Sequence, residues 1–478
     1  MKNFRKLFTV VLMLALIVAS LAACGKKEEA PEATPTPAET TGGNGGEEPE
    51  EEEATPTPTP APRDLNGIDI VVGDWWSTGE EVIETQKQED QKAYRDKLQA
   101  DHNFTLTQSN LGAWGEYAEI FITSTMSGDP AADIFIMDQA MVPEPIKQGL
   151  MYPVGDLPSF NGFTDEKWNQ GIKDTYTMND KTYAFSEEDD TPGLGVFWNK
   201  RLFEEAGLDP ELLYDLQANG EWTWDKFHEL AKTLTRDTNS DGVTDTYGIT
   251  CWQREIVKAA VFSNGTDYVR FNEETGRYEN NQKSDEVLAA IQLAVTLYDE
   301  GLILPQPEDA VYTFFVDAFK TSQAAMLPAE WYRHTEFQEM EDDWGFVFFP
   351  VGPGPNAKMQ TMYVGNVRVM PAGLDAQYAD DVAFAYDKWV AAVPGYEDEE
   401  MDLTYYYSQV RDPRAVEETI IPMLQGQGTR SLVYMVPGLS FKHGSNEDNG
   451  GLGDVSAIEI AEAASAIYDG IINDFYAD

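Results

Sequence analysis

Ile68-Asp69-Ile70-Val71-Val72, ended by Gly73-Asp74, opens the stretch that decides the fold, residues 68–138. The first five form a short apolar run with the β-branched content a strand favours. A polar stretch of helical length follows at Glu80–Ala100, and Phe104-Thr105-Leu106-Thr107 then alternates with the period of a strand. Trp114–Met126 places Trp114, Tyr117, Ala118, Phe121 and Ile122 at helical spacing and closes at Ser127-Gly128. Asp133-Ile134-Phe135-Ile136-Met137-Asp138 reads as a strand again. Strand, helix, strand, helix, strand in this order predicts an α/β fold with a parallel sheet. Ligands of such sheets sit beyond the carboxyl ends of the strands. Trp75, Trp76 and Asp138 fall at such ends, and Trp114 starts a helix near the same rim.

Working outward, the middle of the chain repeats the theme. Leu194–Trp198 reads as a strand, and Asn199 caps a short helix that stops at Gly207. Thr223 caps a second helix with Trp224, Phe227, Leu230, Ala231 and Leu234 on one face. Strands are expected at Tyr247–Thr250, Ala324–Leu327, Gly345–Phe349 and Val364–Met370, and helices from Ser284 to Gly301 and from Val455 to Phe475.

The chain has 478 residues and a formal net charge of −51. A surface that negative repels phosphate backbones, which excludes nucleic acid as a partner, and it disfavours anionic solutes while permitting neutral or cationic ones. Four His and two Cys exclude zinc-cluster and disulfide-scaffold designs.

The first residues read as an address. Lys2, Arg5 and Lys6 precede an apolar run from Phe8 to Leu21, shorter than the ~20 residues of a membrane span. The run ends in Leu21-Ala22-Ala23-Cys24-Gly25, which resembles a bacterial lipobox. That implies a signal peptide over residues 1–23, cleavage before Cys24 and lipidation of its sulfur. Residues 24–63 carry Thr-Pro repeats and an acidic run around Pro49, a composition that cannot bury enough apolar area to offset chain entropy. Repeated Pro and like charges extend it, so it reads as a tether on the extracellular face of the membrane.

Five stretches in chain order resemble one family. Gly195-Val196-Phe197-Trp198-Asn199-Lys200-Arg201-Leu202-Phe203-Glu204-Glu205-Ala206-Gly207-Leu208 is similar to a segment of family 1 extracellular solute-binding proteins, the substrate-capturing lipoproteins of ABC importers, mostly for sugars. Trp222-Thr223-Trp224-Asp225, the entry Ser124–Phe135, Ala324–Trp331 and Tyr363-Val364-Gly365-Asn366 match further segments. The resemblance covers about residues 65–395. It implies a two-lobe periplasmic-binding-protein-like fold of type II, with discontinuous lobes joined by crossover strands and a ligand cleft between them. Mapping the segments assigns 64–184 with 366–410 to an N-terminal lobe and 185–365 with 411–478 to a C-terminal lobe. Its implied partners are a sugar or oligosaccharide, ABC permease subunits and, through the lipid, the membrane, with the protein itself a monomer.

A neutral sugar offers C–H faces to aromatic rings and paired hydroxyls to carboxylates and amides. The resemblance makes Trp331 the first choice, since the family's matching Trp packs against bound sugar. Trp75, Trp76, Trp114 and Trp252 follow, with Asp138 and Glu187 as polar candidates and Tyr332, Tyr363 and Asn366 behind them. Asp237-Thr238-Asn239-Ser240-Asp241-Gly242-Val243-Thr244-Asp245 fits the first nine positions of an EF-hand-like loop. Asp237, Asn239, Asp241, the Val243 carbonyl and Asp245 would ligate a structural calcium ion. Position 12 is Gly248 rather than Glu, so affinity is expected to be modest.

No His-Glu-x-x-His, Gly-x-Ser-x-Gly or Walker loop is present, and His102, His228, His334 and His443 are scattered. No catalytic residue is therefore assigned. Two alternatives stay open: a glycosidase using an acid pair such as Glu187/Asp189, and a receptor for a non-sugar solute such as a peptide.

Overall fold

The computed structural model describes residues 62–477 apart from 80–82, 84, 179, 189, 308–309, 312, 397–402 and 440–454. The expected lipidation site Cys24, the expected signal peptide over residues 1–23 and nearly all of residues 24–63 lie outside the described residues. Among the described residues no helix is long and apolar enough to cross a membrane.

In chain order the strands β1 (Ile68–Asp74), β2 (Phe104–Asn110), β3 (Ile134–Asp138) and β4 (Ala184–Phe185) precede β5 (Leu194–Asn199), β6 (Tyr247–Ile249), β7 (Ala324–Glu330) and β8 (Trp344–Phe348); β9 (Asn366–Val369) comes last. They form two separate sheets. One has the order β2-β1-β3-β9-β4, the other β8-β5-β7-β6. β1 pairs in parallel with β2 over seven residues and with β3, as the strand–helix–strand pattern requires. β9 returns antiparallel beside β3, pairing Asn366 with Asp138. The α/β two-lobe architecture follows from this division.

Local signals set the helices. α1 (Gln86–His102) begins with a capping box between Thr85 and Gln88 and ends at left-handed Asn103. α2 (Trp114–Ser127) ends at Gly128 with φ 77°, a backbone angle that glycine adopts without strain. In the second lobe Thr223 caps α3 (Trp224–Leu234), whose five expected apolar residues are all buried. α4 (Gln253–Ser263) and α5 (Asp285–Asp299) follow. α6 (Ala376–Trp389) covers the first sheet, α7 (Thr404–Gln409) is short, and α8 (Ala457–Phe475) starts with a capping box at Ser456 and Glu459.

Each lobe has its own core. Two apolar clusters lie around the first sheet, one with Ile70, Ile134, Phe160 and Phe185, the other with Tyr117, Phe121, Phe135 and Met137. A single larger cluster fills the second lobe, from Phe197 and Trp198 to Tyr468.

Two crossovers join the lobes, residues 186–193 and 361–365. They are bridged where Thr191 pairs with Val364, and the Thr191 hydroxyl donates to the Val364 carbonyl at 2.5 Å. Close packing fixes the second-lobe end of both: a Cβ on Gly193 would stand 1.9 Å from the Met362 carbonyl oxygen. The third passage falls earlier than expected. α7, assigned above to the first lobe, packs on the second, because the Tyr405 hydroxyl lies 3.3 Å from His334 Nε2 and the Tyr406 ring 6.5 Å from that of Trp331.

Candidate functional site

The carboxyl edge of the first sheet is built from the turn after β1. Asp74 is fully buried, and its carboxylate accepts from the backbone N–H groups of Trp76 (3.0 Å) and Ser77 (2.9 Å), from Gln108 (2.7 Å) and from the Ser77 hydroxyl. Burial pushes that carboxyl up, but these donors outweigh it and hold it below the usual range. The turn they fix carries Trp75 and Trp76. Trp75 stands edge-on to Trp76 at 4.8 Å and to Tyr117 at 5.2 Å, which leaves Trp76 47% exposed.

Asp138, the last residue of β3, caps the next turn through the Ala140 N–H at 2.8 Å and also accepts from the Trp114 indole. Trp114 is otherwise open, at 46% exposure. Burial pushes the Asp138 carboxyl up, and the charge of Glu330 adds to the push; Ala140, Trp114 and Lys258 oppose it. Trp75, Trp76, Trp114, Asp138 and Asn366 thus share one edge of the first lobe.

Glu330 and Lys258 belong to the second lobe, so Asp138 is within electrostatic reach of the opposite body. Glu330 is the last residue of β7. Lys258 and Glu255 stand one turn apart on α4, and the ammonium of Lys258, a residue only 7% exposed, reaches Glu255 at 2.8 Å and Glu330 at 3.1 Å. Burial alone lowers the pKa of an ammonium; here Glu255 and Glu330 overcome it and keep Lys258 charged. Tyr176 of the first lobe and Tyr434 of the second both feel Asp138 and each other, and burial raises both phenols. Arg430 closes the hinge side with an ion pair to Asp190. Asp138 and the Lys258–Glu255–Glu330 cluster thus lie within electrostatic reach of one another across the lobes, and Trp76 and Trp114 stand open on the same first-lobe edge as Asp138.

The family's sequence profile, bacterial extracellular solute-binding protein, matches residues 84–396. The chain belongs to that family. This solute-binding protein has the fold of several solved structures. It is similar to the ABC substrate-binding protein Lmo0181 of Listeria monocytogenes in complex with cycloalternan, at 17% identity and TM-score 0.61, over 86% of this chain and 100% of that one. A cyclic alpha-maltosyl-1,6-maltose binding protein of Arthrobacter globiformis gives 16%, 0.61, 85% and 100% in the same order. The maltose/maltodextrin-binding domain MalE of Bdellovibrio bacteriovorus bound to maltotriose gives 15%, 0.56, 85% and 100%. No curated protein matches by sequence.

Several residues expected at the site of this solute-binding protein serve other roles. Trp331 is 4% exposed, parallel to His334 at 4.2 Å and to Phe197 at 6.1 Å, in the second-lobe core. The end of β7 decides this: Glu330 turns to Lys258, and the next side chain enters the interior. Glu187 is occupied by a buried guanidinium, since Arg368 binds it at 2.7 Å and the Tyr386 hydroxyl donates to it at 3.1 Å. Tyr363 is buried at a crossover, its hydroxyl donating to the Met423 carbonyl at 2.9 Å. Trp252 packs on Phe315 at 5.1 Å beneath Arg333, and Tyr332 flanks the same guanidinium. Lys258, Glu255 and Glu330 were missed. The one available signal was a lysine set among Ile256, Val257, Ala259 and Ala260, where a charge needs a buried partner.

The expected calcium loop is closed on itself. Asp237 accepts from the N–H groups of Ser240 (2.6 Å) and Gly242 (2.8 Å), Asn239 from Asp241 N–H (2.8 Å), Asp241 from Val243 N–H (2.8 Å) and Asp245 from Thr238 N–H (2.7 Å). Among the described residues no group of three or more His, Cys, Asp or Glu is gathered as a metal site.

Proposed function

We propose that the protein captures an uncharged sugar or oligosaccharide by closing its two lobes and hands it, unaltered, to an ABC permease. The observation that carries this reading is the charge coupling of Asp138, at the end of β3, to Glu330 and Lys258 of the second lobe, on the same first-lobe edge as the open indoles Trp76 and Trp114. Indole faces stack on C–H surfaces, while fixed carboxylates and an ammonium take up hydroxyl pairs. Sugar complexes among the structural relatives support the same ligand class. Closure is a population shift: solute stabilises the closed form by contacts from both lobes.

The test is a thermal-shift and calorimetry screen against neutral oligosaccharides. One of them at ~100 times its dissociation constant adds ~2.7 kcal/mol of stability, with stoichiometric heat and no product. A panel without any stabilising glycan, or release of shorter sugars, overturns the reading. Anchoring through Cys24 at the outer face of the membrane belongs to the same proposal, and Cys24→Ala then abolishes incorporation of labelled fatty acid into the protein. In this reading the protein works as a monomer. A structural calcium ion in the Asp237–Asp245 loop is a separate proposal, supported by spare lone pairs on carboxylates that each serve only their own loop.

A further inference from the structure

One carboxylate of the first crossover is gripped from both lobes. Asp190 accepts from the Asn169 amide of the first lobe at 3.0 Å and pairs with the Arg430 guanidinium of the second. Asn169 caps the short helix Gln170–Thr175, whose Ile172 lies in a first-lobe core cluster. Arg430 leads into Val433 and Tyr434, which lie in the second-lobe core.

The backbone at Arg430 is fixed on both sides. Before it, Gly428-Thr429 pairs with Thr361-Met362, and Tyr363 N–H donates to the Thr429 carbonyl at 2.8 Å. After it, the buried Asp267 carboxylate accepts from Leu432 N–H at 2.6 Å and from the Ser431 hydroxyl at 3.1 Å. The Arg430 side chain, 14% exposed, passes over the Tyr363 ring of the second crossover at 5.5 Å, within cation–π range, and reaches Asn169 Oδ1 at 3.4 Å. A guanidinium rooted in the second lobe therefore touches both crossovers and the first lobe at once. An enclosed, charge-assisted contact of this kind outweighs a surface ion pair.

Gly171 marks how closely the first lobe fits this group. It lies inside the helix Gln170–Thr175, and its φ is not among the left-handed ones. Glycine in a helix is less stable than alanine, so backbone freedom does not account for it. Close approach does: a Cβ at 171 would overlap Arg430 Nη1 and stand 3.1 Å from Cζ.

From this juxtaposition we infer that Arg430 is a positioning residue for solute capture, a bolt that seats on Gly171 and Asp190 and favours the approached arrangement of the lobes before any solute arrives. Swinging the second lobe away draws the guanidinium off Asn169 and Gly171, or pulls Asp190 off Asn169, and either costs a charge-assisted contact. The inference rests on the lobe closure proposed above, but not on the identity of the solute.

Spin labels on Asp129→Cys and Glu204→Cys, exposed residues of the first and second lobe, report the distance between lobes by double electron–electron resonance. The full chain carries Cys24→Ala, and Cys251 is buried away from the label. No sugar is needed. Arg430→Gln removes the charge, whereas Gly171→Ala keeps every charge and displaces the guanidinium. Both are expected to shift the ligand-free distribution to longer distances, with circular-dichroism spectra unchanged from wild type. An unshifted distribution in either folded variant overturns the inference. Should Arg430→Gln fail to fold, Gly171→Ala decides alone. Failure of maltotriose to bind the wild type counts against the sugar reading, and the ligand-free distances still decide the bolt.

Discussion

The two lobes place their indoles and charges differently. The first lobe buries Trp168 in its core but leaves two indoles open on the strand-end edge, Trp76 after β1 and Trp114 at the start of α2. The second lobe takes its most prominent indole inside, stacking Trp331 on His334 and Phe197, and offers a clamped Lys–Glu triad instead. The first lobe thus adds open aromatic faces to its Asp138 carboxylate, and the second lobe adds fixed charge. Under the proposed function, substitutions should sort by burial: Trp331 acts on stability alone, the Lys258 cluster on stability and binding together, and the first-lobe rim on binding.

The largest effect tests the buried side of that contrast. Lys258→Met leaves Glu330 without its counter-charge and Glu255 with only the more exposed Arg254 at 3.5 Å, in a largely buried site, and a loss of ~3 kcal/mol is expected in urea unfolding. A loss below about 1 kcal/mol would mean that water already solvates the triad. Trp331→Ala empties a packed position and should cost a similar ~3–5 kcal/mol. Weakened sugar binding by folded Trp331→Ala at unchanged stability would instead return this ring to the cleft.

A pH profile sharpens the same point. Asp267 in the second lobe accepts from Leu432 N–H at 2.6 Å and from Ser431 and Tyr268, yet burial pushes its carboxyl up to about 6. The raised pKa belongs to the folded state, so the folded protein binds the proton more tightly than the unfolded chain does. Stability therefore rises as pH falls from about 6 to the ordinary carboxylate value near 4, by ~1–3 kcal/mol. Asp342 acts oppositely. Burial there is overcome by Arg201, Ser322 and Asn199, which hold its carboxyl near about 2, so its contribution is lost only as pH falls below about 4. Urea unfolding at pH 7, 5 and 3 should show a rise followed by a fall; a flat profile between 7 and 5 removes the Asp267 part.

Smaller effects belong to the open side. Trp114→Ala leaves folding within ~0.5 kcal/mol, as expected of a half-exposed ring, but lowers affinity for the bound oligosaccharide about tenfold in calorimetry. Equal losses in stability and affinity would break the division between the lobes. In the Asp237–Asp245 loop, calcium at about ten times its dissociation constant adds ~1.4 kcal/mol in the wild type and nothing in Asp241→Ala. Identical melting curves for both, with and without calcium, mean that the loop holds no ion.

Where the sequence was legible, the signal was local. β1 and β3 are apolar runs a few residues long, and the five buried positions of α3 repeat within eleven residues; the capping boxes that start α1 and α8 fix helix starts up to six residues later than the sequence pattern places them. The position of Trp75, Trp76, Trp114 and Asp138 at one edge of the first sheet was readable because strand ends locate the edge of a parallel sheet. The remainder depended on distance or parity. Lys258 meets Glu330 across 72 residues of chain, which no spacing rule reports. Trp331 and Glu330 are neighbours on opposite faces, and a shift of one residue at the end of β7 exchanges core for cleft. Glu187 is claimed by Arg368, 181 positions later, and α7 takes its side through Tyr405 and Tyr406 rather than through any pattern of its own.

The turn held by Asp74 has a kinetic and entropic consequence. With its carboxylate satisfied on every side, the backbone beneath Trp76 is already in place before any solute arrives, so docking need not freeze that loop. Ordering a mobile loop or a free side chain is a standard deduction from affinity. Here that deduction is small on the aromatic side, and the first encounter can take place on a rigid shelf.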